Sequence, residues 1–511
     1  MTNSTHIHEE NAAAPSGSLS TLSPILSSKA AAALDGPEYV PESIYVTFDS
    51  WTNWGGNLTY QPERTFHPKT LGDLKTIARL AKTHGKKIRC TGSGHSWSST
   101  AVSKDYLVST REMDKVSPPV HNPEGPCEGG DGWTVTIETG VLIEDLDLYL
   151  RQHNPPLTLP SNVLVGCVRY GGVLTMGTHG ASVNSSTMSD MVTEMTIVNA
   201  HGELVTYSEA VDPEAFNAAC LNLGLLGLIY TATLKVELMQ TRMRVRDSYP
   251  RLDSIFNTSD PSASGLKLKS MVLQQDSIEF IYWPFKRFGQ ETFNEHIWCK
   301  QWARTTDLVP EGEEAEARKK LLAERPPSVD HPFFASFHVG EEIMEIPDAI
   351  HFPFGDGKST VLDTGIAMKV DPDFKNVIEA FSELVEKNYE FSRSMPERMG
   401  TALELRFIRS SNKMLSPVYD EDPEAIFAMV NLMALSGTPG FEELAAATMA
   451  NWIHRYNAKP HWAKMWEATP GVVPYLRQEY GPRIARFNKV RKVQDPLDMF
   501  VNATFEEFIR D

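Results

Sequence analysis

Apolar residues recur three and four apart after Thr70, with Leu71, Leu74, Ile77 and Leu80 on one face, and this spacing predicts an amphipathic helix. Thr70 and Asp73 stand at capping-box spacing at its start, and Gly85 marks its end. Lys86 to Cys90 then reads as a short strand leading into a glycine loop. Farther on, β-type runs at Tyr106 to Ser109 and Trp133 to Glu138 are followed by a helix from Ile143 to Gln152. Strands at Met195 to Asn199 and Leu204 to Tyr207 flank a turn at His201-Gly202. The glycine-punctuated apolar run Leu223 to Tyr230 suits either a cofactor wall or a close helix–sheet contact. The mixture predicts an α+β domain from about residue 45 to 238.

From about residue 239 the pattern changes to longer strands and amphipathic helices, which predicts a second domain. Ser277 to Trp283 alternates as a strand, Glu311 to Arg325 is a charged helical run, and Phe374 to Asn388 has helical periodicity. Residues 1 to 40 are rich in Ala, Ser and Pro without periodicity and read as a disordered tail.

Composition narrows the function classes. A formal net charge of −18 over 511 residues argues against nucleic acid as a partner, because phosphate backbones attract clustered Lys and Arg. Five cysteines, an odd number without a C-x-x-C pair, indicate neither a disulfide framework nor a zinc site, and no metal is expected. They fit a reducing, intracellular compartment. The N-terminus shows neither a secretory signal nor an Arg-rich presequence. The most apolar stretch, Ala218 to Leu234, is broken by Asn222, Gly224, Gly227, Thr231 and Thr233, so no integral membrane segment is expected.

Two glycine clusters carry the candidate chemistry. Gly92-Ser-Gly-His-Ser96 combines a backbone free to press amides against an anion with one imidazole, His95. The order is helix, strand, glycine loop, with a poor helix start after His95, so a Rossmann domain is not expected. The second cluster runs from Gly171-Gly172 to Gly177-Thr178-His179-Gly180, and the two could grip one extended polar ligand from two sides. Glu404 and Arg406 alternate with apolar neighbours, which places both on one face of a strand, as a plain ion pair or as a catalytic face.

Taken in order, these two loops, Glu404-Leu-Arg406, His461-Trp-Ala-Lys464 and Asp495-Pro-Leu-Asp-Met-Phe-Val-Asn502 resemble motifs of the aldonolactone oxidases. These are FAD flavoproteins of the vanillyl-alcohol oxidase type, and the resemblance runs from about residue 45 to the end. It implies a two-domain α+β fold of the PCMH FAD-binding type. Residues 45–238 would be the FAD-binding domain, 239–460 an α+β cap carrying much of the substrate pocket, and 461–511 a segment returning to the FAD domain.

The resemblance also implies roles. FAD would be held by Gly92, Ser93, Gly94, His95, Ser96, Gly171, Gly172, Gly177, Thr178, His179, Gly180 and Ile229, with His95 as a covalent tether to the flavin 8α-methyl group. Glu404, Arg406 and Lys464 would be catalytic, and His461 is expected to pack rather than to carry protons. Ala463 replaces the family's glycine, a small change unless the backbone there has positive φ. Ala181 stands where sugar-alcohol oxidases have serine, which points toward a lactone. Cys167, four residues before Gly171, is expected to be a structural thiol.

The implied activity is oxidation of an aldono-1,4-lactone such as D-arabinono-1,4-lactone at C2 to an ascorbate-type product, with dioxygen reduced to hydrogen peroxide. An alditol oxidase, a cytochrome-linked dehydrogenase and a non-catalytic flavin- or sugar-binding protein are the alternatives. Cytoplasm or mitochondrial association are the compartments expected, and oligomeric state is left open.

Overall fold

Three sheets organise the chain, and the candidate residues fall where the sheets meet. The computed structural model describes residues 44–123, 132–285, 294–313, 329–331, 334–337, 340–351, 360–393 and 401–510. Residues from Ile44 onward form one compact unit. The tail and most of the charged run 311–325 lie outside the described residues.

The first sheet has four strands in the order Tyr45–Thr47, Arg64–His67, Tyr106–Ser109, Ile88–Thr91. Between Arg64–His67 and Ile88–Thr91 runs the helix Leu71–His84, whose capping box and αL Gly85 both form. Its buried face is Leu74, Ile77, Ala78 and Ala81, while Leu71 and Leu80 are only half-buried.

The second sheet is antiparallel, with its central ladder running through Leu204–Ser208, Val192–Val198, Leu228–Leu238 and Trp133–Glu138. Its core includes Leu476, Tyr480, Phe487, Phe505 and Phe508, so the C-terminal residues pack with residues from the first half of the chain. A buried arginine fixes this return. Arg89 donates to the carbonyls of Thr100 (2.6 Å), Leu223 (2.7 Å), Gly224 (3.0 Å) and Phe500 (2.7 Å), and burial lowers its guanidinium to about 10. Asp495 accepts the amides of Met499 (2.7 Å) and Phe500 (2.8 Å), while Asn502 donates to the carbonyl of Ser99 at 2.9 Å. The last motif of the sequence is therefore a clasp on the segment that follows His95.

The third sheet has eight antiparallel strands. Its order is Gly340–Met344, Arg242–Ser248, Trp298–Thr305, Ser277–Tyr282, Thr401–Arg409, Ile426–Leu435, Val361–Lys369, Lys459–Pro460. One face packs on helices that include Lys375–Arg393 and Phe441–Arg455, through Phe280, Leu403, Leu405, Phe407 and Val430. The other face carries Glu404 and Arg406. No helix among the described residues is long and apolar enough to cross a membrane.

Candidate active site

A cavity of about 290 Å³ lies between the first glycine loop and the polar face of the third sheet. Gly92, Ser93, Gly94, His95 and Ser96 line it on one side, and Glu404, Arg406 and Lys464 on the other. Gly171, Gly172, Thr178, His179 and Ile229 complete the wall among the candidates. Gly177 and Gly180 do not reach it. A Cβ at Gly177 (φ +70°) would meet Leu221 at 3.1 Å, and one at Gly180 would meet the Asn162 carbonyl at 2.5 Å. Both glycines serve backbone packing that holds the cluster against its neighbours.

The strand Ile88–Thr91 delivers the loop, and contacts on both flanks fix it. The Trp54 amide donates to the Gly94 carbonyl at 2.8 Å, and Asn53 Nδ2 to the Ser96 carbonyl at 2.9 Å. On the far side the Trp97 amide donates to the Ala463 carbonyl at 2.8 Å. Gly94 has φ +76° and a Cβ there would lie 3.3 Å from the Trp51 ring, so glycine is required twice over. Among the described residues, none of the amides from Gly92 to Ser96 donates a backbone hydrogen bond. Thr91 Oγ1 and Arg169 Nε, also on the wall, have no hydrogen-bond partner among the described residues. A Cβ on Gly172 would meet nothing within 4 Å. Free amides, unpaired polar atoms and a side-chain-free patch fit an extended, hydrogen-bonding, phosphate-bearing cofactor such as FAD. The second cluster contributes less than its glycine count suggests, because the Gly171 amide is taken by the Thr139 carbonyl at 2.9 Å.

His95 stacks on Trp54 with ring centroids 4.8 Å apart and planes 12° from parallel. Burial, reinforced by Lys464 and Arg111, lowers its imidazole to about 4, so it is neutral near pH 7, with a lone pair on one ring nitrogen. Cys167 lies close to this imidazole. It is exposed, and its Sγ lies 3.9 Å from His95 Nε2, so it stands beside the loop.

On the sheet face, Arg406 Nη2 pairs with Glu404 Oε2 at 2.9 Å, and both side chains are nearly buried. Across the ladder Glu404 pairs with Asn431, whose Nδ2 donates to both oxygens of Asp363 at 3.1 and 3.2 Å. Asp363 in turn binds Lys464, whose ammonium sits 4.2 Å from the Trp97 ring centroid. The turn bearing Lys464 is seated by the His461 amide donating to the Gly365 carbonyl at 2.9 Å. A Cβ on Gly365 would lie 3.0 Å from Lys464 Cγ, so a side chain there would have to displace Lys464. Ala463 is not among the residues with positive φ, so its methyl group is accommodated without backbone strain.

His461 is buried, with Nδ1 accepting from the Ala463 amide at 3.2 Å and its ring 5.6 Å from His179. Burial, with Lys464 and Arg406 nearby, lowers His461 to about 3 and His179 well below its usual value. Ala181 lies off this cavity, packed with Met239, Met243, Val245 and Trp302, so its missing hydroxyl says nothing about a ligand here. Asp363, Asn431, Gly365 and Glu279 were not singled out in the sequence. No short motif contains them, and only strand register brings them to the site. No metal-binding cluster occurs among the described residues.

Comparison with known proteins accords with this geometry. Residues 62–208 match a model described as an FAD binding domain, and residues 370–508 match one described as D-arabinono-1,4-lactone oxidase. The D-arabinono-1,4-lactone oxidase of Eremothecium gossypii is 33% identical over 524 residues, covering 88% of this chain and 93% of that protein. The L-gulonolactone oxidase of Bos taurus is 22% identical over 485 residues, covering 89% and 97%. Among solved structures, cholesterol oxidase from B. sterolicum superposes with a TM-score of 0.72 at 18% identity, covering 93% of this chain and 99% of that one. Xylooligosaccharide oxidase from Myceliophthora thermophila gives 0.62 at 15% identity, covering 89% and 93%. These structures establish the fold as the two-domain α+β PCMH type. With FAD as cofactor and oxidoreductase chemistry shown by its relatives, the chain belongs to the D-arabinono-1,4-lactone oxidase family of FAD-dependent aldonolactone oxidases.

Proposed function

We propose that this protein oxidises the C2 hydroxyl of a five-membered aldonolactone, D-arabinono-1,4-lactone or a close analogue, to a 2-keto lactone that enolises to an ascorbate-type product. The reading is carried by the Glu404–Arg406 pair on the cavity wall facing the His95 loop. FAD, which the His95 loop and Gly171–Gly172 would hold, would supply the hydride acceptor and its reoxidation by dioxygen, with hydrogen peroxide as the second product.

Arg406 offers an almost fully buried guanidinium on the cavity wall, where it stabilises the alkoxide that develops as the hydroxyl loses its proton. Glu404, held by Arg406 on one oxygen, accepts hydrogen bonds from substrate hydroxyls and orients the carbon that gives up hydride. Lys464 brings a cation whose position Asp363 sets, suited to a negative charge that builds during reduction. His95, neutral and stacked on Trp54, is the covalent tether. In this reading residues 45–238 with 461–511 hold FAD and 239–460 cover the substrate.

The test is anaerobic addition of arabinono-, gulono- and galactono-1,4-lactones and of alditols to the purified flavoprotein, followed by peroxide measurement with and without cytochrome c. Bleaching by a lactone, with peroxide formed in air, is expected. Bleaching by an alditol alone, or by none of the panel, overturns the proposal.

A further inference from the structure

Glu279 is fully buried inside the third sheet. Its strand pairs on one side with the Glu404 strand, Glu279 opposite Arg406, and on the other with Trp298–Thr305, Glu279 opposite Lys300. Directly opposed residues share a sheet face, so Glu279 stands on the face that carries Arg406 and, two residues along, Glu404. The Glu279 Oε1 atom lies 4.0 Å from Arg406 Nε, beyond hydrogen-bond range, whereas Arg406 makes its close ion pair with Glu404 at 2.9 Å.

Neither oxygen of Glu279 receives a hydrogen bond from a donor among the described residues, and diagonally across the ladder on the same face stands Glu404, whose carboxylate pushes the Glu279 carboxyl upward. Two ionised carboxylates cannot donate to each other, so a hydrogen bond between this pair requires that one of them carry a proton. Glu404 is tied to a cation and opens to the cavity. Glu279 is sealed from water, and burial together with the Glu404 charge pushes its carboxyl well above the usual range. The other charged groups around it do not reverse this. Lys300 and Arg406 pull in the opposite direction, but Lys300 also answers to Asp247 and Glu342, and Asp363 and Lys464 beyond Glu404 neutralise each other.

We propose that Glu279 is a positioning residue of this site, a carboxylic acid that donates a hydrogen bond to Glu404 and so holds Glu404 as an anion facing the cavity. The pair then carries one negative charge against the one positive charge of Arg406, and Glu404 keeps its acceptor capacity for substrate hydroxyls. This rests on the reading of Glu404 as the residue that orients the substrate.

Two variants of the holoenzyme separate this role from simple packing. Glu279→Gln keeps a donor toward Glu404 but cannot ionise, and Glu279→Leu removes the donor. Infrared difference spectra need no substrate. At neutral pH the wild type should show a protonated-carboxyl band that Glu279→Gln lacks.

In anaerobic flavin reduction by arabinono-1,4-lactone, the wild type should lose rate on the alkaline side as Glu279 ionises and two anions face each other, whereas Glu279→Gln keeps its rate to higher pH. Glu279→Leu should move the acid limb upward by about one pH unit, the worth of one hydrogen bond to a charged group, and lower the maximal rate about tenfold. An unchanged carboxyl band in Glu279→Gln, or identical pH profiles in the two variants, overturns the proposal. If no lactone reduces the wild-type flavin, the functional reading fails while the infrared comparison still decides where the proton lies.

Discussion

Lys464 donates its ammonium to the Asp363 carboxylate, joining the C-terminal turn to the strand Val361–Lys369. Asp363 is almost completely buried and burial raises its carboxyl, a cost that Lys464 offsets. Removing one partner of such a pair is more damaging than removing both. Lys464→Met should therefore lower stability by about 3 kcal/mol, and adding Asp363→Asn should recover part of the loss. Thermal denaturation of the two variants checks this, and a double variant no more stable than Lys464→Met would count against the pair as the source.

Arg406 touches the cavity without supporting the glycine loop, so its removal should separate chemistry from cofactor binding. Arg406→Ala should retain its flavin while the rate of anaerobic reduction falls about 100-fold or more, the usual loss when a preorganised charge stabiliser is deleted. Stopped-flow measurement beside a flavin assay decides it. A normal reduction rate would remove Arg406 from the role given above.

The proximity of Cys167 to His95 makes the tether a question of which atom, or whether both, hold flavin. With one bond through His95, acid-precipitated His95→Ala should carry no flavin, and Cys167→Ala should retain all of it. Intact-mass spectra read both outcomes directly. Flavin mass persisting on His95→Ala would shift the tether to the cysteine.

The local elements were legible in the sequence because their signals are local. The Thr70–Asp73 capping box, the Gly85 stop and the alternation around Glu404 each depend on residues within one turn or one strand. The His95 loop was legible for the same reason, and so was its place opposite Glu404 and Arg406 once the motifs were taken together. What could not be seen depends on strand register. Asn431 reaches Asp363 because their strands pair antiparallel with Gly365 opposite Asn431, and Glu279 reaches Arg406 in the same way. Glycine count also misled, since a residue without Cβ admits either a ligand or a neighbouring chain. Gly172 faces open space, while Gly177 and Gly180 face Leu221 and Asn162.

That division among the glycines is itself testable. Gly172→Val should fold with near-normal thermal stability but hold less flavin, because Gly172 lines the cavity and a Cβ there meets no protein atom within 4 Å. Gly180→Ala should instead lower stability by roughly 1–3 kcal/mol, the range for forcing atoms into a packed interior, since the new Cβ meets a backbone carbonyl that cannot swing away. Flavin content and melting temperature of the two variants form the comparison. Equal flavin loss with equal destabilisation would show that the cluster acts as one unit.

His461 also predicts how stability depends on pH. Folded, its imidazole is lowered to about 3 by burial, with Lys464 and Arg406 adding to the effect. Unfolded, it returns to about 6.5. Between these values the unfolded chain binds a proton that the folded chain refuses, so the stabilising contribution of the neutral ring is complete above about pH 6.5 and is lost as pH falls toward 3. One such group contributes a slope of about 1.4 kcal/mol per pH unit. Buried carboxyls such as Asp363 act with the opposite sign, so the total slope of the wild type is a sum, and the informative quantity is a difference. His461→Gln should remove about one proton from the slope of unfolding free energy between pH 6 and 4, measured by denaturant titration on the holoenzyme. An unaltered slope would mean that His461 is already protonated in the folded protein, in conflict with the hydrogen bond its Nδ1 accepts from Ala463.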